Sequence, residues 1–199
     1  TVTLPDVRLD VAGELAPGYM EIRYLLQEDL RAALSAAQEI EDSFAAIFGR
    51  GGDALLEPYR CADADFVVVG LGSLTYQLRD TVDTLRDEGH KVGVLGVRLY
   101  RPFPDEALTA ALSHARGVIV IEKALSYGYE GALYTDVKAA LYERFAAGAG
   151  AVNGRPPAVT GLIAGIGGRD IRTADLTATL RAHITDGPAK DPAWIGIKL

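Results

Sequence analysis

Cysteine is nearly missing from this chain: Cys61 stands alone among 199 residues. One thiol closes no internal disulfide and cannot by itself hold an iron–sulfur cluster or a structural zinc, so any such cofactor belongs elsewhere. Histidine is scarce too. His90, His114 and His183 are far apart in sequence, have no metal-ligand spacing to one another, and read as exposed or helix-capping residues. No apolar run approaches the ~18–20 residues of a membrane span, and the opening TVTLPDVRLD lacks the basic-then-apolar form of a signal peptide. These absences lead to the expectation of a soluble, unexported, cytoplasmic chain. Clustered cations are lacking as well. The net charge of −7 argues against nucleic acid as a partner, because affinity for phosphate backbones comes from grouped Lys and Arg. The acidic excess falls wholly in the first third: residues 1–63 carry 12 acidic and 5 basic side chains, whereas 64–199 carry 15 of each. A basic surface on a neighbouring chain is the expected complement. The sequence opens on Thr1 rather than Met, in an extended polar stretch with no early strand, and reads as a processed, split or partial subunit.

What is present is an ordinary globular composition, 49% hydrophobic and 24% charged, which excludes disorder or a collagen-like repeat for the whole. Residues 1–19, with Pro5, Gly13, Pro17 and Gly18, read as an extended lead-in. A long helix is predicted over 20–48. Leu26, Leu30, Ala33, Ala37, Ile40, Phe44 and Ile47 recur at spacings of three and four, and Glu28, Asp29, Glu39, Glu41 and Asp42 mostly fall off that stripe. At ~1.5 Å per residue such a helix spans about 40 Å, suited to a brace between domains or to packing on the domain that follows. Strands and helices then alternate. Strands are predicted at 66–70, 92–97, 117–121 and 158–164. Helices are predicted after Ser73 or Thr75, from Pro104 through His114, over 133–145 and over 173–184. A small-residue linker spans 146–157, and an irregular tail holds Pro188, Pro192 and Trp194. Alternation of this kind implies right-handed βαβ units and an α/β domain: an open, mainly parallel sheet with helices on both faces. The expected division is 1–62, lead-in and bracing helix, and 63–199, α/β domain with the tail.

Few residues advertise chemistry. Gly70-Leu71-Gly72-Ser73 follows a strand and opens a helix, but Thr75 replaces the third glycine of a dinucleotide fingerprint. The second strand also ends in Val97-Arg98 rather than in an acid. The glycines serve the turn, or an anion rests on that helix N-terminus. Ser126 in Ala124-Leu125-Ser126-Tyr127-Gly128 is a near miss of a hydrolase elbow, with Tyr127–Gly131 intervening before the next helix and His183 inside a helical pattern. Gly167-Gly168-Arg169-Asp170 either clamps a strand-to-helix turn through an Arg–Asp pair or presents a planar fork to a ligand or a neighbouring chain.

Taken in order, several motifs form a recognisable set: Met20-Glu21-Ile22-Arg23-Tyr24, Phe48-Gly49-Arg50, Glu57-Pro58-Tyr59-Arg60, Gly70-Leu71-Gly72-Ser73, Arg101-Pro102-Phe103-Pro104 and Gly167-Gly168-Arg169-Asp170-Ile171. The set resembles the C-terminal half of the alpha subunit of 2-oxoacid:ferredoxin oxidoreductases of the pyruvate synthase type, with a transketolase C-terminal-like fold. Arg-Pro-Phe-Pro and Gly-Gly-Arg-Asp-Ile are its most specific parts. The resemblance implies an enzyme complex that decarboxylates a 2-oxoacid on thiamine diphosphate and Mg2+, forms acyl-CoA, and passes electrons through iron–sulfur clusters to ferredoxin. It also implies that the domain helping to build the thiamine site is missing here. No Gly-Asp-Gly thiamine motif occurs. The chain is then expected to bind none of these cofactors alone, to catalyse nothing alone, and to assemble with a thiamine-binding chain and a cluster-bearing chain. Contacts to those chains, or supports behind the reacting groups, are assigned to Gly70, Ser73, Arg101, Phe103, Tyr127, Gly128, Gly131, Arg169 and Asp170. The alternative is a free-standing small-ligand or nucleotide-binding protein using the Gly70–Ser73 helix N-terminus, with neither nucleic acid nor membrane as partner.

Overall fold

Continuous β-branched runs fold into the middle of a sheet because both of their faces must leave water. Phe66–Leu71 (β2), Val92–Val97 (β3), Gly117–Glu122 (β4) and Ala158–Ala164 (β5) form such a sheet in the computed structural model, which describes residues 19–146, 156–187 and 193–198. The expected lead-in and small-residue linker lie, but for their end residues, outside the described residues. The chain divides into two compact units, one ending at Gly52 and one beginning at Asp53.

The first unit is helix α1, Tyr19–Phe48, and the turn after it. Gly49 at φ +65 closes the helix in the left-handed conformation that glycine adopts without strain, its N–H donating to the Ala45 carbonyl at 2.9 Å. The chain then doubles back on the last turns, where Gly52 N donates to Glu41 Oε1 at 3.1 Å and Gln38 Nε2 to the Gly52 carbonyl at 3.3 Å. None of the 30 residues of α1 is buried.

In the second unit the strand order is β1-β3-β2-β4-β5-β6, where β1 is Leu56–Tyr59 and β6 is Ala193–Ile195. β1 runs antiparallel to β3, and every other pairing is parallel. Alternate strand residues supply two apolar layers. Val67, Val69, Leu95, Val97, Val118 and Val120 pack under α3 (Asp105–Leu112) and α4 (Ala132–Ala146). Val68, Val92, Val94, Ile119, Ile121 and Leu162 pack under α2 (Leu74–Asp87) and α5 (Thr173–Asp186). The α/β class and the mainly parallel sheet are as expected.

Four features differ from the sequence expectation. Segment 56–59 is a sheet strand; it lies on the 1–62 side of the expected division, yet it pairs residue by residue with 94–97. Its Pro58 is tolerated because an edge strand can spare one N–H. The irregular tail contains β6, whose Trp194 pairs with Ile163. His183 is neither exposed nor capping: it is buried in α5, with Nδ1 3.0 Å from the Thr179 carbonyl and Nε2 without a partner among the described residues. Finally, the crossovers do not all share one hand. β2 to β3 steps one way along the sheet over the α2 face, and β3 to β4 and β4 to β5 step the other way over the α3 and α4 face. β5 to β6 continues that second direction, yet α5 lies with α2. Leu176 and Leu180 fill the α2 side beside Ile171 and Ile195, and this packing reverses the hand that most parallel connections take.

Candidate functional site

In a sheet of this topology the chain leaves β2 toward β3 on one side while β4 lies on the other, so the strand order reverses between β2 and β4, and open α/β sheets commonly place their sites at the carboxyl ends of the strands beside such a reversal. The nine residues singled out from sequence all lie at this carboxyl edge: Gly70 and Ser73 at the end of β2, Arg101 and Phe103 after β3, Tyr127, Gly128 and Gly131 after β4, Arg169 and Asp170 after β5.

Gly70 sits within β2 rather than in the turn. A Cβ there would lie 3.2 Å from Leu78 Cδ1 and 3.7 Å from the Ile121 carbonyl oxygen, so its bareness lets α2 settle close on the strand pair. Ser73 is the N-cap of α2, without a side-chain cap bond. The first amides are already used: Thr75 N donates to the Gly72 carbonyl at 3.1 Å and Tyr76 N to the Ser73 carbonyl at 3.3 Å, with Thr75 Oγ1 on the same Gly72 oxygen at 2.7 Å.

The turn after β3 is tied down by α4. Arg101, before a cis bond to Pro102, places a guanidinium nitrogen 2.7 Å from Asp136 Oδ2 and lies over the Tyr100 ring. Tyr100 donates to the same carboxylate oxygen at 2.7 Å, and its ring meets Phe103 edge-on. Burial, then the Asp136 bond, raises the phenol above its usual range.

The loop after β4 is the most elaborated element of the edge. Glu122, which the sequence reading passed over, closes β4 and is buried. Its two carboxylate oxygens accept from Leu133 N and Tyr134 N, both at 3.0 Å, capping α4 from the strand end. Burial outweighs these bonds and raises its pKa. Gly131 makes the cap possible: a Cβ there would stand 1.9 Å from Glu122 Oε1. An acid ending an otherwise apolar strand run was the available signal. Glu130 anchors the other end of the loop, accepting from Thr135 Oγ1 at 2.9 Å and from Lys138 Nζ at 2.6 Å, while Ser126 N donates to the Glu130 carbonyl at 2.9 Å. Gly128 at φ +83 makes the tip. On this pinned frame Tyr127 is 86% and Tyr129 69% exposed.

After β5, Gly165, Gly167 and Gly168 all have positive φ. The Arg169–Asp170 clamp does not form: neither side chain has an ion pair among the described residues, and Arg172 pairs with Asp175 instead at 2.8 Å. Arg169 lines a recess of about 160 Å3 with Ile163, Ile166, Trp194 and Ile197. Gln77 Nε2 on the Ile171 carbonyl at 3.2 Å ties this segment to α2. A hydrolase triad is excluded by placement. Ser126 follows β4, whereas His183 lines a recess with Phe66, Gly117 and Ala158, the first residues of their strands, a full strand length away.

Iron–sulfur clusters do not fit this chain, because four thiolates are needed and the one cysteine, Cys61, is buried with Sγ turned to the Val94 carbonyl. Among the described residues no group of three or more His, Cys, Asp or Glu could hold a metal ion, and no helix is long and apolar enough to cross a membrane.

Comparison with known proteins gives one family: the profile of the pyruvate:ferredoxin oxidoreductase core domain II matches residues 64–176. Pyruvate synthase subunit PorA of Methanothermobacter thermautotrophicus is 35% identical over 201 residues, 98% of this chain and 48% of that protein. Ketoisovalerate oxidoreductase subunit VorA of Pyrococcus abyssi is 36% identical over 160 residues, 80% of this chain and 38% of that protein. The chain thus spans about half or less of the length of these relatives. Among solved structures, a split-gene transketolase in an inactive β4 tetramer superposes with a TM-score of 0.46 at 20% identity, over 62% of this chain and 40% of that one.

Proposed function

The chain belongs to the pyruvate:ferredoxin oxidoreductase core domain II family, and on that premise we propose that it is an assembly and support domain of a multi-subunit 2-oxoacid:ferredoxin oxidoreductase. The whole complex converts a 2-oxoacid such as pyruvate to acyl-CoA with electrons passing to ferredoxin. Thiamine diphosphate, Mg2+, CoA and the clusters belong in this reading to partner chains, one thiamine-binding and one cluster-bearing, in the cytoplasm and away from membrane and nucleic acid. The α/β domain supplies the docking edge, and the leading segment 1–62 with α1 supplies a brace.

One observation carries the reading. Side chains that stabilise only their own fold bury their apolar surface, but Tyr127 and Tyr129 project into solvent from a loop fixed at both ends by Glu122 and Glu130. A rigid aromatic pair loses little entropy on docking, which is the property of interface anchors. Exposed Tyr76 on α2 and the unpaired Arg169 flank it along the same edge.

The test is co-expression with the thiamine-binding and cluster-bearing chains. The double variant Tyr127→Ala, Tyr129→Ala is expected to keep its stability within about 0.5 kcal/mol while its affinity for the partners falls about tenfold or more. Unchanged assembly in that variant, or full activity of the chain as a monomer, would overturn the proposal.

A further inference from the structure

Polar side chains that fold into a core bring hydrogen-bond partners with them, because an unmet buried group forfeits its hydration and gains nothing in return. The buried side chains of the α/β unit follow this rule almost throughout. Thr75, Thr81, Thr109 and Thr177 each donate a hydroxyl to a carbonyl three or four residues back, at 2.7, 3.2, 3.1 and 2.8 Å. Glu122 and Glu130 have the partners described above. Two buried groups break the rule: the Thr160 hydroxyl on β5 and His183 Nε2 on α5 have no hydrogen-bond partner among the described residues. Thr160 is 8% exposed and His183 7%. Arg79 Nε is also unmet, but on a half-buried residue whose guanidinium pairs with Glu57 at 2.6 Å.

The two exceptions are not scattered. Both residues line one small recess at the amino ends of β2, β4 and β5, whose other walls are Phe66, Gly117, Val118, Ile119 and Ala158. None of those walls has a polar side chain. Thr160 shares its face of the sheet with Leu162, two residues on, which packs under α5.

The imidazole limits what the recess can hold. Nδ1 lies 3.0 Å from the Thr179 carbonyl, which only accepts, so Nδ1 carries the proton and Nε2 of the neutral ring presents a lone pair. The partner of Nε2 must therefore donate. An anion has no proton to give, and a metal ion needs further ligands, whereas no second His, and no Cys, Asp or Glu, lines the recess. Size narrows the choice again. The recess measures about 20 Å3, and a single water needs ~10–15 Å3.

We infer that one ordered water occupies this recess, donating to His183 Nε2 and hydrogen-bonded to Thr160 Oγ1. It ties α5 to β5 beside the apolar packing of Leu176 and Leu180. A polar bridge with two fixed ends holds α5 at one register on the sheet more strictly than apolar packing does. The inference concerns the α/β unit alone and goes beyond the assembly role.

It is tested on the full chain by high-resolution crystallography and by NMR of 15N-labelled histidine. A water oxygen is expected within about 3.2 Å of both His183 Nε2 and Thr160 Oγ1, with imidazole nitrogen shifts that place the proton on Nδ1. Thr160→Val keeps the branched shape and removes the hydroxyl, so the sign of its effect decides. With the bridge, the water loses one of its two anchors, and Tm should fall by about 2–4 °C. Without the bridge, the change removes an unmet buried hydroxyl, and Tm should rise. In a His183→Phe background the same change should no longer lower Tm. Thr160→Ser, which restores the hydroxyl, should keep the water. A rise in Tm for Thr160→Val, a recess without an ordered water, a direct Thr160–His183 hydrogen bond, or a proton on Nε2 would each overturn the inference.

Discussion

Replacing Gly131 by alanine adds one methyl group, and the consequence follows from where that group must go. The new Cβ would stand 1.9 Å from Glu122 Oε1 and 2.3 Å from its Cδ, well inside contact distance, so the carboxylate has to leave its place. It then gives up the amides of Leu133 and Tyr134, and α4 starts uncapped. Hydrogen bonds to a charged group contribute about 1.5–3 kcal/mol each, and water restores part of the loss at a helix end, so the net cost is about 3 kcal/mol. For a unit of roughly 150 residues that lowers Tm by about 6–12 °C. Thermal and urea unfolding of the single variants and of the double variant with Glu122→Ala check the reasoning. Gly131→Ala acts through Glu122, so in the Glu122→Ala background its cost should fall below about 0.5 kcal/mol. Equal costs in the two backgrounds, or a drop in Tm under about 2 °C, would refute the account. pH supplies an independent check. Burial raises the Glu122 pKa, so the pH-dependent part of its contribution is fully present below its ordinary value and is lost as pH rises through the raised folded value, leaving the two amide bonds of the ionised carboxylate. The stability difference between parent and Glu122→Gln should change across that window and be flat above it.

Three further outcomes are expected. Arg86 donates to the Val92 carbonyl at 2.7 Å, to the Arg60 carbonyl at 2.7 Å and to both oxygens of Asp63, so Arg86→Lys, which lacks the planar fork, should lose about 2 kcal/mol in urea unfolding, most of the loss of Arg86→Ala. The Arg86 bond holds the Asp63 carboxyl below its usual range, so its contribution persists above the ordinary value and is lost only as pH falls through the depressed one; carboxyl NMR should show a low midpoint that returns to normal in Arg86→Ala. Gly93→Ala would put a Cβ 2.6 Å from the Arg60 carbonyl oxygen, a backbone atom that cannot swing aside, and should cost about 1–3 kcal/mol with β1 and β3 forced apart at that end, read as faster amide exchange there.

The sequence by itself determined the central layer of this protein. The apolar runs at 92–97 and 158–164 became strands with those same limits, and the long helix differs from its predicted span by one residue. Such elements are legible because burial on two faces, or on one stripe, writes a period into the chain that no neighbour needs to supply. It also placed the candidate residues on one common edge, since turn glycines and the Arg-Pro-Phe-Pro motif follow strands and a parallel sheet carries all such loops to one end. What the tertiary structure decided are features that exist only between segments. Leu56–Tyr59 and Ala193–Ile195 are too short to show a period, and they become strands because Val94–Val97 and Leu162–Ala164 offer unpaired backbone. The hand of the last crossover follows from α5 packing on the α2 side, where Leu176 and Leu180 join Ile171 and Ile195. Glu122 lies just past the strand predicted at 117–121 and gains its role only where α4 brings the Leu133 and Tyr134 amides to it, and Gly131 gains its meaning from the same encounter. A hydrogen bond or a close contact joins groups whose distance the fold sets, and that distance is not written in either residue alone.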